Sequence, residues 1–356
     1  MQKAFLYHLA ATPKEDPFAW WTLNPPWDSP EVCEVRHRRE EVKMISSLGL
    51  PLFYTDSRNY STDPANLYDN NSRPVDSLSG FELILRDDNI SHPNLVEAVS
   101  RTGGVLLSSE DERTKVKNWF DYALPAFTKR KIGKITLADL VDNAWELKQE
   151  SIKPYVLANK FFVKTLVKKF AGVVDLEKKV SELILNLFIH FSPETPLIIS
   201  EPLEFVPASD FSKHPHQEYR CWIANSKLNS ISRYLDEQAH QVPEEASSFA
   251  LDFARAHKDI FPSLYVADIA LDKKRGYVLV ECNPLSSAGR YYQNDFRLFL
   301  KEFFPEADLG KLEDVRRQVQ EEEKIHLVDE QEANVQHKKE AMERLMSLLP
   351  GLKFNS

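Results

Sequence analysis

Glycine is the first shortage. The chain has 10 glycines in 356 residues, against a usual share of about 7%. It contains neither G-x-G-x-x-G nor G-x-x-x-x-G-K-[ST], so glycine-rich dinucleotide and P-loop phosphate cradles have no motif behind them. Cysteine is the second. Cys33, Cys221 and Cys282 lie far apart and form neither a C-x-x-C nor a zinc spacing, which suits a reducing compartment. Long apolar runs are missing as well. The strongest, Leu183–Phe191, falls far short of the roughly 20 residues a bilayer-spanning helix needs. The start, Met1 to His8, has no long apolar leader core. A cytoplasmic protein with no membrane partner is expected. Basic residues are in deficit, with 45 Lys and Arg against 54 Asp and Glu and a formal charge of −9. A chain of that sign is not built for broad binding along a nucleic-acid backbone. The tripeptides His-Arg-Asp and Asp-Phe-Gly are absent, which argues against a protein kinase.

What is present reads as a globular α/β protein of two or three lobes. Hydrophobic residues make up 42% of the chain, enough to bury a core. Residues 12–30 interleave Pro13, Pro17, Pro25, Pro26 and Pro30 with Trp20, Trp21 and Trp27. Such a segment cannot be regular helix and reads as an arm pinned by its aromatics. Glu34–Leu48 is helix-like and stops at Gly49. Residues 56–77 read as loop. Phe81–Arg86 and Val105–Leu107 read as strands with the helix Asn94–Arg101 between them. Arg113–Ala123, Thr136–Lys148 and Leu176–His190 have helical spacing. Phe161-Phe162-Val163-Lys164 reads as a buried strand ending in a lysine. From Pro196 the chain is strand-rich, with candidates at Leu197–Ile199, Glu218–Ala224, Leu228–Tyr234, Leu264–Leu271 and Tyr277–Glu281 and a helix at Glu244–His257. Leu298–Phe304 reads as the last helix of the body. A charged, helix-prone tail follows, with an apolar stripe of Met342, Leu345, Met346 and Leu349.

Two hairpins set charges face to face. In the first, a two-residue turn at Asn225-Ser226 pairs Ala224 with Lys227 and sets Glu218 opposite Arg233. Because side chains alternate along a strand, Glu218, Arg220 and Trp222 share a face, and both arginines project from it with a carboxylate between them. Exposed ion pairs contribute only about 0–1 kcal/mol, so stability alone does not account for such a pattern. In the second hairpin a four-residue loop, Lys273–Gly276, pairs Asp272 with Tyr277 and sets Asp268 opposite Glu281. Asn283 then faces the same way. That face offers two carboxylates and an amide oxygen, a hard oxygen set suited to Mg²⁺. A slip of one residue would put Asp268 and Glu281 on opposite faces. Cys282, between Glu281 and Asn283, points the other way and reads as core. His214 and His216 flank Pro215 with no third ligand nearby, and read as a loop ahead of the arginine strand.

In this order the residues resemble the ATP-grasp superfamily, over roughly Arg113 to Asn294. The motifs are the strand-ending lysine (Phe161-Phe162-Val163-Lys164), the acidic hinge (Ser200-Glu201-Pro202-Leu203-Glu204), the acid-x-Arg strand (Glu218-Tyr219-Arg220), Arg233 on the next strand, and the Asp268, Glu281-x-Asn283 set. The chain is most similar to the clade named for two arginines and a lysine, related to cell-division-cycle proteins that help assemble a translation initiation factor. The usual glycine-rich loop after the lysine is reduced here to Lys168–Val173. The resemblance implies an α+β fold in which the nucleotide is sandwiched between two small lobes. It implies an N-terminal lobe over 1–110, ATP-grasp lobes over 111–200 and 201–305, and a tail over 306–356. It implies ATP and Mg²⁺ as cofactors. Lys164 would bind the α- and β-phosphates, with Lys115 as a second nucleotide contact. Glu201 and Leu203 would meet the adenine edge, and Glu204 the ribose. Arg220 and Arg233 would hold the γ-phosphate, and Asp268, Glu281 and Asn283 the metal. The implied activity is ligation of a carboxylate to an amine or other nucleophile through an acyl phosphate, on an amino acid, peptide or protein. The alternative is an ATP-binding assembly factor that acts on a protein partner without ligating.

Overall fold

The computed structural model describes residues 1–9, 30–56, 66–69, 71, 73–86, 93–140, 152–166, 171–176, 187, 189–208, 215–235, 240–291 and 293–321. The Pro/Trp arm, the stripe at Met342–Leu349, most of the helix expected at Thr136–Lys148 and nearly all of that expected at Leu176–His190 lie outside these residues.

The chain opens on strand β1 (Gln2–Leu9), helix α1 (Pro30–Ser47), β2 (Leu52–Asp56), β3 (Asn66–Asp69), β4 (Phe81–Arg86), α2 (Pro93–Arg101) and β5 (Val105–Leu106). These strands form a sheet in the order β3-β2-β1-β4-β5. It is parallel from β2 to β5, with β3 antiparallel at the edge. Helix α1 stops where Gly49 takes φ +66, the left-handed conformation that glycine adopts without a Cβ penalty. The sequence reading overlooked β1, β2 and β3. Strand β1, at the centre of the sheet, carries Ala4, Phe5, Leu6 and Tyr7, all buried. A strand covered on both faces loses the alternation by which a half-exposed strand is recognised.

Helix α3 (Glu110–Lys117) starts at a capping box, with Ser109 Oγ accepting from the Glu112 amide and the Glu112 carboxylate accepting from the Ser109 amide. A short turn, α4 (Pro125–Thr128), leads into β6 (Ile132–Thr136). Thr136 caps the following turn through Asp139, but it ends a strand that the sequence reading missed. Strands β6, β7 (Lys160–Thr165), β8 (Ala171–Asp175) and β9 (Pro196–Ser200) form an antiparallel middle sheet in the order β6-β9-β7-β8. Of the reduced loop expected at Lys168–Val173, residues 168–170 lie outside the described residues, and the rest begins β8, where Ala171 pairs with Lys164.

The C-terminal sheet contains β10 (Glu218–Ala224), β11 (Lys227–Arg233), β12 (Leu264–Asp272) and β13 (Gly276–Pro284), ordered β11-β10-β12-β13 and antiparallel throughout. Helix α5 (Glu244–Ala256) joins β11 to β12. One face of this sheet, with Cys221, Ala267, Ile269 and Cys282, packs on Ala250 and Phe253 of α5. The other face, with Trp222, Leu264 and Val266, packs on Phe5 and Tyr7 of the N-terminal sheet and on Phe296 and Phe299 of α6 (Phe296–Phe303). Cys282 is core, as its strand position implied. A further helix, α7 (309–321), buries Leu312 in that same cluster. The chain after α6 therefore begins as part of the body and not as a tail.

Candidate active site

The face of the C-terminal sheet that is apolar at Trp222 and Val266 becomes charged two residues further along each strand. Alternation places Arg220 and Glu218 beyond Trp222, and Asp268 beyond Val266. The register sets Asp268 between Arg220 on β10 and Glu281 on β13, with Asn283 opposite Val266.

That register has a different origin from the expected one. The hairpin loop is three residues, so Asp272 pairs with Gly276. Asp272 Oδ1 accepts from the Lys274 and Arg275 amides, each at 2.9 Å, and Gly276 follows at φ +69. The shorter loop alone would have put Asp268 opposite Val280. A bulge in β13 restores the pair, because Ile269 meets Leu279 and the next pair is Asp268 with Glu281. The extra residue is Val280. Arg130 holds it, donating to the carbonyls of Leu279 at 2.6 Å and Val280 at 3.2 Å. Bulges re-aim side chains in this way beside functional sites.

A bulge also corrects the first hairpin. The turn is as expected, with Asn225 and Ser226 at φ +49 and +60 and Ala224 paired with Lys227. The register then slips between Trp222 and Ile223, so Arg233 faces Tyr219 and not Glu218. Strand alternation sets Arg233 and Arg220 on opposite faces of the sheet. Arg233 is buried, with Nη1 3.4 Å from His240 Nδ1.

Arg220 forks onto Asp268, with Nε to Oδ1 at 2.9 Å and Nη2 to Oδ2 at 2.8 Å. Its Nη1 donates to the Gly289 carbonyl at 3.1 Å. The guanidinium lies 5.0 Å from the ring of Tyr234 and 4.5 Å from that of Tyr291. Lys164, from the middle sheet, reaches across to Glu281 and forms an ion pair with it. Asn283 Nδ2 donates to the other oxygen of Glu281 at 3.0 Å. Burial alone would raise the Glu281 pKa, but Lys164 and Asn283 bring it down to about 2. Glu218 goes the other way. Burial, then the neighbouring Asp268 and Glu281 charges, push it up to about 8. Burial would lower the Arg220 pKa, yet the Asp268 carboxylate holds it well above its usual value.

The hinge after β9 is tied to the β12–β13 hairpin. Glu201 pairs with Arg275 at 3.0 Å, and Glu204 with Lys274 at 2.6 Å. The Glu204 amide donates to Asp272 Oδ2 at 2.8 Å. Leu203 lies in this hinge, half-buried. Lys115 stands apart from these groups. It pairs with Asp111 one turn back on α3 at 2.9 Å, the ordinary arrangement of an exposed helix lysine. Sequence reasoning missed Arg130, Tyr234 and Tyr291. Each acts through a bulge or a ring contact, and neither leaves a spacing in the chain.

The chain is similar to known proteins. Residues 127–301 match the ATP-grasp domain model for family 2 of the clade named for two arginines and a lysine. The chain belongs to that clade of the ATP-grasp superfamily. Among solved structures, the D-alanine-D-alanine ligase from Coxiella burnetii is 11% identical with a TM-score of 0.53, covering 92% of this chain and 99% of that one. D-alanyl-alanine synthetase A from Vibrio cholerae is 12% identical with a TM-score of 0.49, over 89% and 98%. The ATP-grasp ligase PsnB, complexed with precursor peptide PsnA2 and AMPPNP, is 11% identical with a TM-score of 0.45, over 89% and 97%. Identities this low speak for the fold alone, and the Coxiella structure carries that likeness. No curated protein matches the chain.

ATP with Mg²⁺ is what this ATP-grasp fold implies. Among the described residues, no three or more His, Cys, Asp or Glu side chains are grouped to hold a metal by themselves. The donor set at Asp268, Glu281 and Asn283 is two carboxylates and an amide, so a cation there would need phosphate or water oxygens as well, the usual habit of Mg²⁺. The charge balance fits one. Glu218, Asp268 and Glu281 face Arg220 and Lys164, and burial first, then the two neighbouring carboxylates, push Glu218 up to about 8. No helix among the described residues is long and apolar enough to cross a membrane.

Proposed function

We propose that this ATP-grasp protein is an ATP- and Mg²⁺-dependent ligase that joins a carboxylate to an amine. The observation that carries the reading is one cluster built from two sheets, with Lys164 of β7 on Glu281 of β13 and Arg220 of β10 forked on Asp268 of β12. A nucleotide bound between the sheets would meet both cations. Lys164 would turn from Glu281 to the α- and β-phosphates. Arg220, held between Tyr234 and Tyr291, would present its planar fork to the γ-phosphate, a geometry a lysine cannot copy. Glu281, released from Lys164, would bind Mg²⁺ with Asn283 and Asp268. When bound, the metal draws off charge on the transferring phosphoryl group. The hinge would take the base and ribose at Glu201, Leu203 and Glu204. Arg233 and Lys115 keep only the roles the family pattern implies. The lobe limits at 110, 200 and 305 fit this reading, with one sheet in each lobe.

In the reaction, a carboxylate oxygen of the acid attacks the γ-phosphorus and ADP leaves, giving an acyl phosphate. The amine attacks the carbonyl carbon, loses its proton and expels phosphate. The residues serve by positioning and by charge, since phosphoryl transfer needs little covalent help. Single-turnover release of ADP and phosphate with a panel of acids and amines tests the proposal. Acid-dependent ADP release in the wild type, lost in Glu281→Gln, is the expected result. Stoichiometric ATP binding with no turnover for any acceptor would favour the assembly-factor reading.

A further inference from the structure

One buried ion pair reaches from the N-terminal sheet to the candidate active site without belonging to the nucleotide cluster. Arg86 ends β4 and is 1% exposed, and Glu41 of α1 is fully buried. Arg86 Nε donates to Glu41 Oε2 at 3.0 Å and Nη2 to Oε1 at 2.9 Å. The Tyr7 hydroxyl of β1 donates to Glu41 Oε2 at 2.8 Å. Burial would raise the Glu41 pKa, but Arg86, then Arg290 and Arg38, hold it below its ordinary value. Replacing a buried ion pair with apolar side chains is often neutral or stabilising, so stability alone does not account for this fork. The third side of the guanidinium does something else. Arg86 Nη1 donates to the Leu285 carbonyl at 2.6 Å and to the Ala288 carbonyl at 3.2 Å.

Leu285–Ser287 form a single turn directly after Asn283 and Pro284. Ser286 of that turn lines a narrow cleft with Ser108, from the segment ahead of α3. The Gly289 carbonyl follows the turn and accepts from Arg220 Nη1 at 3.1 Å. Tyr291, two residues on, sets its ring 4.5 Å from the Arg220 guanidinium. Asn294 fastens the far end of this segment. Its side chain donates to the Arg220 carbonyl at 3.1 Å and accepts from the Tyr291 amide at 3.0 Å. The near end rests on Arg86.

We propose that Arg86 is a positioning residue for recognition of the γ-phosphate: forked on Glu41, it fixes the turn that sets the Gly289 carbonyl and the Tyr291 ring on Arg220. This deepens the proposed function, since it rests on the reading of Arg220 as the γ-phosphate ligand. When the Arg220 fork turns from Asp268 to phosphate, the Gly289 carbonyl and the tyrosine rings keep the guanidinium in place. Lysine cannot replace Arg86, because a point charge lacks the planar fork that serves a carboxylate and two carbonyls together.

Binding of MgADP and MgAMPPNP to the full chain, measured by calorimetry, tests this. ADP lacks the γ-phosphate and so reports on the rest of the nucleotide site. Two variants are compared with the wild type. Arg86→Lys keeps a cation beside Glu41, and Glu41→Gln combined with Arg86→Gln leaves no lone buried charge. Both should weaken MgAMPPNP by at least about tenfold, the loss of one charged hydrogen bond, and leave MgADP within about twofold. Equal weakening of the two nucleotides marks a general loosening of the fold and overturns the proposal. So does MgAMPPNP binding at wild-type strength in both variants. A wild type that binds the two nucleotides alike removes the γ-phosphate contact itself and overturns it too. Acid-dependent ADP release by the wild type is measured in parallel. Its absence would refute the ligase reading and leave the positioning result standing.

Discussion

Replacing Arg130 with methionine should separate the stability of this protein from the assembly of its site. Arg130 donates to two carbonyls at the β13 bulge, at 2.6 and 3.2 Å. A hydrogen bond from a charged donor is worth about 1.5–3 kcal/mol, so the two together contribute about 3–6 kcal/mol. Against this, burial and then the nearby Arg275 charge bring the Arg130 pKa down to about 10. At about 1.4 kcal/mol per unit, from an ordinary 12.5, that cation costs about 3 kcal/mol to hold there. The net loss in Arg130→Met is then about 0–3 kcal/mol, at most a shift of several degrees that leaves the protein folded. The functional cost is larger. Without the bulge the three-residue hairpin pairs Asp268 with Val280 and turns Glu281 to the opposite face, because strand side chains alternate. MgATP affinity by calorimetry should fall at least tenfold while the denaturant midpoint moves only modestly. A variant that binds MgATP like the wild type, with Asp268 still opposite Glu281 in its crystal structure, would refute the idea that Arg130 sets this register.

Four further outcomes are expected. Asp268→Asn breaks the buried fork with Arg220, a type of change that costs about 3–5 kcal/mol, and abolishes turnover; a wild-type rate would remove Asp268 from the site. Arg220→Lys keeps the charge but not the fork and should lower the rate of ADP release at least a hundredfold, measured at saturating ATP. Lys164→Met should raise the KM for ATP and lift the Glu281 pKa from about 2, which NMR titration of the carboxyl reads directly. Glu218 has its folded pKa raised to about 8, so the folded state holds a proton that the unfolded state releases. Stability therefore falls as pH rises from about 4.5 to 8, by about 1.4 kcal/mol per unit at most. Glu218→Gln should flatten that slope in denaturant melts, and an unchanged slope would place its origin elsewhere.

The chain order of the site was legible because its chemistry is local. An acid-x-Arg pair, a strand-ending lysine and a Glu-x-Asn pair each need only strand alternation to share a face. The five C-terminal strand candidates and the helix at Glu244–Ala256 followed from the same periodicity. The pairing of Asp268 with Glu281 was reached through an assumed four-residue loop. In the structure a shorter loop and a bulge offset one another to give the same pair. For Arg233 a single bulge had no such counterpart, and the expected pairing with Glu218 failed. A bulge depends on what the neighbouring elements offer the freed carbonyls, and Arg130 lies far from Val280 in the chain.

By itself the sequence determined the ATP-grasp class, the cation–carboxylate inventory, and that Glu218 shares a face with Arg220 and Glu281 with Asn283. Periodicity and residue chemistry are properties of short segments, and they survive without knowledge of the rest. Only the tertiary structure decided that Lys164 of one sheet meets Glu281 of another, that Tyr234 and Tyr291 flank Arg220, and that Ser108 and Ser286 line one cleft. Those facts join residues tens to hundreds of positions apart. Burial of the core shared by the N-terminal sheet, the C-terminal sheet and α6 joins the first and last of these lobes, because apolar surface removed from water fixes which lobes face each other.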